Sequence, residues 1–180
     1  MTASEREGSI ISAELFEELA TSGAACLKTN KKTVNDLNVF PIPDGDTGDN
    51  MYMTLQGGLT YLKNESDASL ASKSEALANG MILNARGNSG VILSQFFAGT
   101  AKGLESVSKA DPETLGHALE LGVKQAYSSV MTPTEGTILT VAREAVEYAV
   151  SRITPKSTIR SLLPSFALAA KISLAISKPR

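Results

Sequence analysis

The chain has 180 residues, a net charge of −2, 42% hydrophobic and 20% charged residues, which fits one domain with its own core and excludes an electrostatic case for nucleic acid or an anionic membrane. The single cysteine, Cys26, excludes an internal disulfide and suits a reducing compartment. No apolar run approaches the length of a membrane span and the polar start MTASEREGS is unlike a signal peptide, so the expected location is cytoplasmic.

Residues 1–9 read as a loose lead-in. Over about 10–27, Ile11, Leu15, Leu19, Gly23 and Leu27 recur at i+4 with Phe16, Ala20 and Ala24 beside them, one face of an amphipathic helix. Cys26 is expected to be packed or partly buried on it, and the basic stretch 28–32 to end it. Residues 35–46 read as loop: Val39, Phe40 and Ile42 favour strand, but Pro41 and Pro43 break any ladder. A second helix is expected over 47–63 (Met51, Leu55, Gly58, Leu59 and Leu62 inward), with Asp46 and Asp49 spaced as N-cap and N3. A third fits 69–84 through Leu70, Leu77 and Met81. After ARGNSG a fourth runs over 89–107 through Ile92, Leu93, Phe96, Phe97, Ala101 and Leu104. Asp111 and Pro112 start a fifth, with Leu115, Ala118, Leu119, Gly122, Val123, Ala126, Tyr127 and Val130 in one stripe. After TPTEG a sixth covers 137–151, burying Ile138, Ala142, Ala145, Val146 and Ala149. A last helix over 157–177 uses Ile159, Leu162, Leu163, Phe166, Ala170 and Leu174, and Pro164 predicts a kink or split. No stretch alternates with period two. The fold class is therefore all-α: an antiparallel up-and-down bundle or barrel of seven to eight helices in one domain.

The stretch NVFPIPDGDTGDNM concentrates unusual residues. Asp44 and Asp46 lie at i, i+2 among glycines, just before a helix whose N-terminus also welcomes an anion. A turn with a cap explains one such acid; two of them on a stiffened glycine-rich turn suit a hard cation. An EF-hand loop does not fit, since counting from Asp44 puts Asp49 at position six and Leu55 at position twelve. A Mg²⁺ site completed by phosphate oxygens fits better. Gly87-Asn88-Ser89-Gly90 matches neither a P-loop nor a dinucleotide fingerprint. With Ser89 as N-cap it is either a capped helix corner or a phosphate-cradling turn. Thr137 after Gly136 repeats the device. In a ring of antiparallel helices the second, fourth and sixth N-termini share one end, which would bring metal ligands beside phosphate donors. His117 reads as an exposed helix residue, and Arg86 and Arg143 as surface ion-pairing residues or as contacts to a phosphate or a partner.

LNVFPIPDGDTGDNM, LNARGNSGVILSQFFAG and TPTEGTILTVAREA, in this order, resemble the N-terminal nucleotide-binding domain of bacterial fatty acid kinase A subunits, itself similar to the L subunit (DhaL) of dihydroxyacetone kinase. The likeness runs over about residues 15–175. It implies an eight-helix barrel that binds ATP at one rim through two Mg²⁺ ions. Of the three metal-binding aspartates of the DhaL pattern, Asp44 and Asp46 match the last two, and they are the implied catalytic and metal residues. Asn38 stands near the place of the first, one residue out of step, and is the candidate third ligand. The fatty acid kinase branch carries this asparagine. Thr47, Asn50, Gly87, Asn88, Ser89, Gly90 and Thr137 are the implied nucleotide-binding residues. Asp49 replaces a threonine usual in the family; it is expected either to cap the helix or to disturb the site.

The implied activity is phosphoryl transfer to a fatty acid carboxylate held by a separate DegV-like lipid-binding protein. The family continues with a VDSGG-like turn and further domains, so residues 1–180 are expected to be the N-terminal piece of a longer protein; a homodimer is compatible with this. The alternatives are a dihydroxyacetone-type kinase L subunit and a non-catalytic nucleotide-binding scaffold.

Overall fold

The computed structural model describes residues 8–38 and 44–176. The expected lead-in over 1–7, the loop residues Val39 to Pro43 and position 177 lie outside them. The described residues form seven helices: α1 (Ala13–Asp36), α2 (Thr47–Asn64), α3 (Leu70–Leu83), α4 (Gly87–Gly103), α5 (Pro112–Ser128), α6 (Ile138–Ser151) and α7 (Ile159–Ile176). Their only described strand-like pairing is the isolated bridge between Ile11 and Ala110. The all-α, up-and-down order read from the sequence is present.

Helix starts follow the local chemistry. The Ser12 hydroxyl accepts from the Leu15 N–H, Ser69 from Ser72, and Asp111 from Thr114, with Pro112 in the first turn. Thr158 and Ser161 cap one another before α7: each hydroxyl accepts from the other's N–H. Helix α2 is held from outside at both ends. Asn35 of α1 caps its first amides. At the other end Lys73 of α3 donates to the carbonyls of Leu62 and Glu65, where a cation suits the helix dipole.

The core lies in two clusters. One joins Ala24, Leu55, Leu59, Leu62, Leu77 and Met81 of α1, α2 and α3, with Leu93 and Phe97 of α4 against it. The other collects Ile11, Leu70, Leu104, Ala110, Leu115, Ala118, Ala149, Ile159 and Leu162. Each fully buried leucine or methionine contributes about 1.5–3 kcal/mol. The second cluster gathers at the starts of α1, α3, α5 and α7. The starts of α2, α4 and α6 therefore lie at the opposite end and carry the polar residues.

Four expectations are corrected. Helix α1 does not end at the basic stretch but continues to Asp36. Residues 28–37 contain no glycine or proline, and Thr29 and Asn30 donate back to the carbonyls of Ala25 and Cys26 without leaving the helix. Cys26 is exposed, because α1 turns Ala20, Ala24 and Leu27 toward the core. Helix α4 starts earlier than expected, at Gly87, with Arg86 as N-cap and Ser89 as its third residue. Helix α7 is continuous through Pro164, so of the expected kink or split the split is absent. It buries Ala169 and Ser173 and leaves Leu174 46% exposed, so its contact stripe is rotated from the apolar one.

Candidate functional site

The turn before α2 pivots on Gly45, at φ +67°. Asp44 and Asp46 on either side of it are exposed. Asn38, six positions before Asp44, donates through its Nδ2 to Asp44 Oδ1. Two of the three expected metal ligands are thus side by side. Asp46 occupies the N-cap position of α2 yet makes no capping bond. That work is done by Asn35: its Oδ1 accepts from Gly48 N at 2.7 Å and Asp49 N at 3.3 Å, and its Nδ2 donates to Asp49 Oδ2 at 2.7 Å. Lys31 Nζ lies 2.6 Å from the other Asp49 oxygen.

Asp49 therefore neither caps α2 nor stands as a free charge. The hydrogen bond from Lys31, then that from Asn35, holds its carboxyl below the usual range. The expected box of Asp46 with Asp49 is corrected on the same ground. So is the welcome for an anion at α2: two of its first amides are already satisfied, and Asn50 N bonds to the Asp46 carbonyl. What this end offers is carboxylate.

The start of α4 is the complement. Gly87 has φ +57° and packs against Asn50: a Cβ there would come within 2.5 Å of Asn50 Nδ2. The buried Thr54, one turn along α2 from Asn50, donates to the Asn50 carbonyl and accepts from Arg86 N at 3.0 Å. Gly90 lies against the same hydroxyl. The first intrahelical bond of α4 is from Gly90 N to the Arg86 carbonyl. The N–H groups of Gly87, Asn88 and Ser89 have no partner among the described residues, the condition of a helix start open to an anion. Asn88 is exposed and Ser89 half-buried; Thr47, first in α2 and next to Asp46 in sequence, is half-buried.

Thr137 is the N-cap of α6, as expected. Its hydroxyl accepts from Leu139 N and donates to the Thr134 carbonyl. Gly136 before it has φ +78°, so the three positive-φ glycines of the described chain mark the starts of α2, α4 and α6. Glu135 pins the turn: its carboxylate accepts from Thr140, Arg143 and Tyr127, and the Thr140 bond first, then Arg143, lowers its pKa. Arg143 is held in ion pairs with Glu135, Glu144 and Glu147. No described hydrogen bond joins Thr137 to Asp44, Asp46 or Gly87. Arg86 makes no ion pair among the described residues. His117 is exposed, 3.6 Å from Glu120.

Lys31, Asn35, Thr54 and the Glu135 network were not evident from the motifs. Lys31 and Asn35 are i, i+4 on one helical face, and Asn50 and Thr54 likewise, but only an extended α1 and a placed α4 give them targets.

The donor set fits Mg²⁺, which takes one or two carboxylates and completes its shell with phosphate and water. Asp44 and Asp46 are exposed carboxylates, and a flip of the Asn38 amide would present its oxygen in place of its nitrogen. The described residues contain no cluster of three or more His, Cys, Asp or Glu able to hold a metal. No helix among them is long and apolar enough to cross a membrane.

Three uncharacterized proteins of Staphylococcus aureus, from strains bovine RF122 / ET3-1, USA300 and COL, are each 42% identical to this chain over 142 residues, 79% of the chain and 26% of the relative. The chain thus spans about a quarter of the length of these curated relatives. The profile of the DAK2 domain, of the dihydroxyacetone kinase L-subunit superfamily, matches residues 41–178, which include Asp44, Asp46 and the α4 and α6 turns. With that match over most of its length, and the all-helical fold to go with it, the chain belongs to the DAK2 domain family, a family of nucleotide-binding, kinase-like domains.

Proposed function

We propose that this chain is the ATP- and Mg²⁺-binding domain of a kinase that phosphorylates a fatty acid carboxylate presented by a separate DegV-like lipid-binding protein, and that it forms the N-terminal part of a longer cytoplasmic protein. The observation that carries the reading is the pairing of two unlike helix starts. Exposed carboxylates stand before α2, and three open amides begin α4, with Asn50 and Thr54 locking the two together.

Asp44, Asp46 and Asn38 would hold Mg²⁺, two ions in this reading. Bound Mg²⁺ would offset the negative charge that builds on the phosphates during transfer. The amides of Gly87, Asn88 and Ser89 and the Ser89 hydroxyl donate to phosphate oxygens, and Gly90 keeps the turn seated on α2. Thr47, Asn50 and Thr137 flank the nucleotide. An acceptor carboxylate oxygen forms the new bond to the γ-phosphorus as the bond to the β–γ bridging oxygen breaks, giving an acyl phosphate and ADP. The carboxylate arrives ionised, so no general base is required. The chain's contribution is positioning and electrostatics.

In the full-length protein, Asp44→Ala and Asp46→Ala are each expected to abolish acyl phosphate formation from ATP and fatty acid supplied with the lipid-binding partner. Wild-type turnover by either variant would remove the metal assignment. Turnover with dihydroxyacetone instead of fatty acid would place the chain with the dihydroxyacetone-type L subunits.

A further inference from the structure

A carboxylate that holds a metal in front of a helix faces two competing demands. The helix amides behind it want a capping oxygen, and Ser12, Ser69, Asp111 and Thr137 all supply one from the N-cap position. The amides also concentrate the positive end of the helix dipole, which repels a cation. Asp46 sits at the N-cap of α2 and would satisfy the helix at the expense of the metal. Asn35 removes the conflict. It comes from a different helix, places one oxygen against both Gly48 N and Asp49 N, and uses its own Nδ2 on Asp49. Its orientation is unambiguous, because backbone N–H groups need the amide oxygen and a carboxylate needs the amide nitrogen. Lys31, one turn earlier on α1, fixes the other oxygen of Asp49. The Asp46 carboxylate is left without a hydrogen bond among the described residues.

We propose that Asn35 is a positioning residue for the metal-binding turn: by capping α2 from α1 it frees Asp46 for Mg²⁺ and denies the first α2 amides to the phosphates, which are thereby directed to the open start of α4. The proposal rests on the ATP and Mg²⁺ reading above. Asn35 touches neither metal nor nucleotide in it. Its oxygen substitutes for the Asp46 side chain at the helix and masks the partial positive charge that would oppose the cation.

The test is Mg²⁺-dependent ATP binding by calorimetry, with Mg²⁺ titrated at fixed ATP, on the wild-type chain, Asn35→Ala, and the exchange Asn35→Asp with Asp49→Asn. The exchange keeps an oxygen on the α2 amides and a donor–acceptor pair between positions 35 and 49. An Asp46 drawn into the α2 cap would have to give up that bond to take the metal, a competition of roughly 2–30-fold at the usual worth of an N-cap. Asn35→Ala is therefore expected to raise the Mg²⁺ midpoint by roughly 2–30-fold, and the exchange to restore it to near the wild-type value. Amide hydrogen exchange at Gly48 and Asp49, read without nucleotide, should change little in Asn35→Ala, because Asp46 takes over the cap. A wild-type midpoint in Asn35→Ala overturns the proposal and leaves the ATP reading standing. An exchange variant as weak as Asn35→Ala, with a wild-type circular dichroism spectrum, also overturns it. No Mg²⁺-dependent binding by the wild type overturns both.

Discussion

Gly48→Ala tests how closely α1 and the metal-binding turn must approach. A Cβ at position 48 would lie 2.2 Å from the Lys31 carbonyl oxygen and 2.9 Å from its carbonyl carbon and Cα. These are backbone atoms in the last two turns of α1, so no side chain can swing aside. Relief requires the two helices to part by about 1 Å, judged against ordinary carbon–oxygen contact distances. That movement stretches both Asn35 capping bonds and the Lys31–Asp49 pair. Overpacking of this kind costs about 1–3 kcal/mol, and each weakened amide bond about 1 kcal/mol. The gain in helix propensity from Gly to Ala is at most about 1 kcal/mol. The net expectation is a loss of about 2–4 kcal/mol, or roughly 4–16 °C in melting temperature for a chain of this size. Gly23→Ala is the matched control. It is the same substitution inside a helix, with nothing within 4 Å of the new Cβ, so only the propensity term remains and the melting temperature should rise by about 2–4 °C. Thermal denaturation of both variants decides it. A Gly48→Ala protein that melts at or above wild type would refute the packing described for α1 and α2.

Thr54→Val keeps the shape of the buried side chain but removes the acceptor for Arg86 N; it should cost about 1–3 kcal/mol in urea denaturation and weaken ATP binding through the loosened α4 start. Acid should destabilise the fold in a definite direction. Asp49 is held below the usual carboxylate range by Lys31, Asp111 by the Thr114 N–H, Asp67 by Ser72, and Glu135 by Thr140. Each folded-state pKa lies below its unfolded value, so the unfolded chain binds more protons; this stability is fully present above about pH 5 and is lost as pH falls through the carboxylate range. Urea midpoints should be level from about pH 6 to 8 and drop below about pH 4.5, and a midpoint that climbs on acidification would contradict the assigned hydrogen bonds.

Much of this was legible in the residues. The stripe Leu115, Ala118, Gly122 and Ala126 is the buried face of α5, and Leu70, Leu77 and Met81 are each fully buried in or against the core. Caps at Asp111 and Thr137 were visible because their partners lie within one turn. What was not legible depends on partners far along the chain. The residues of 28–32 read as a helix end because a basic cluster suits one, yet Lys31 has its counter-charge on Asp49, eighteen positions away. Asp46 read as a cap because capping is usually local, and Asn35 took the role from another helix. Ser89 read as an N-cap by residue type, but Gly87 at positive φ can begin the helix itself, with Thr54 holding the residue before it. Cys26 and Leu174 misled for one reason: hydrophobic character does not say which side of a helix its neighbours will cover.

The central claim is that the carboxylates before α2 and the open amides of α4 form one Mg²⁺–ATP site. Calorimetric titration of the chain with ATP, in Mg²⁺ and then in excess chelator, tests it most directly when repeated with Asp46→Ala, an exposed position whose loss leaves the core intact. Binding that requires Mg²⁺ and is lost in Asp46→Ala, at unchanged melting temperature, is the predicted result. ATP binding that is absent, or is the same with chelator and in Asp46→Ala, would contradict it.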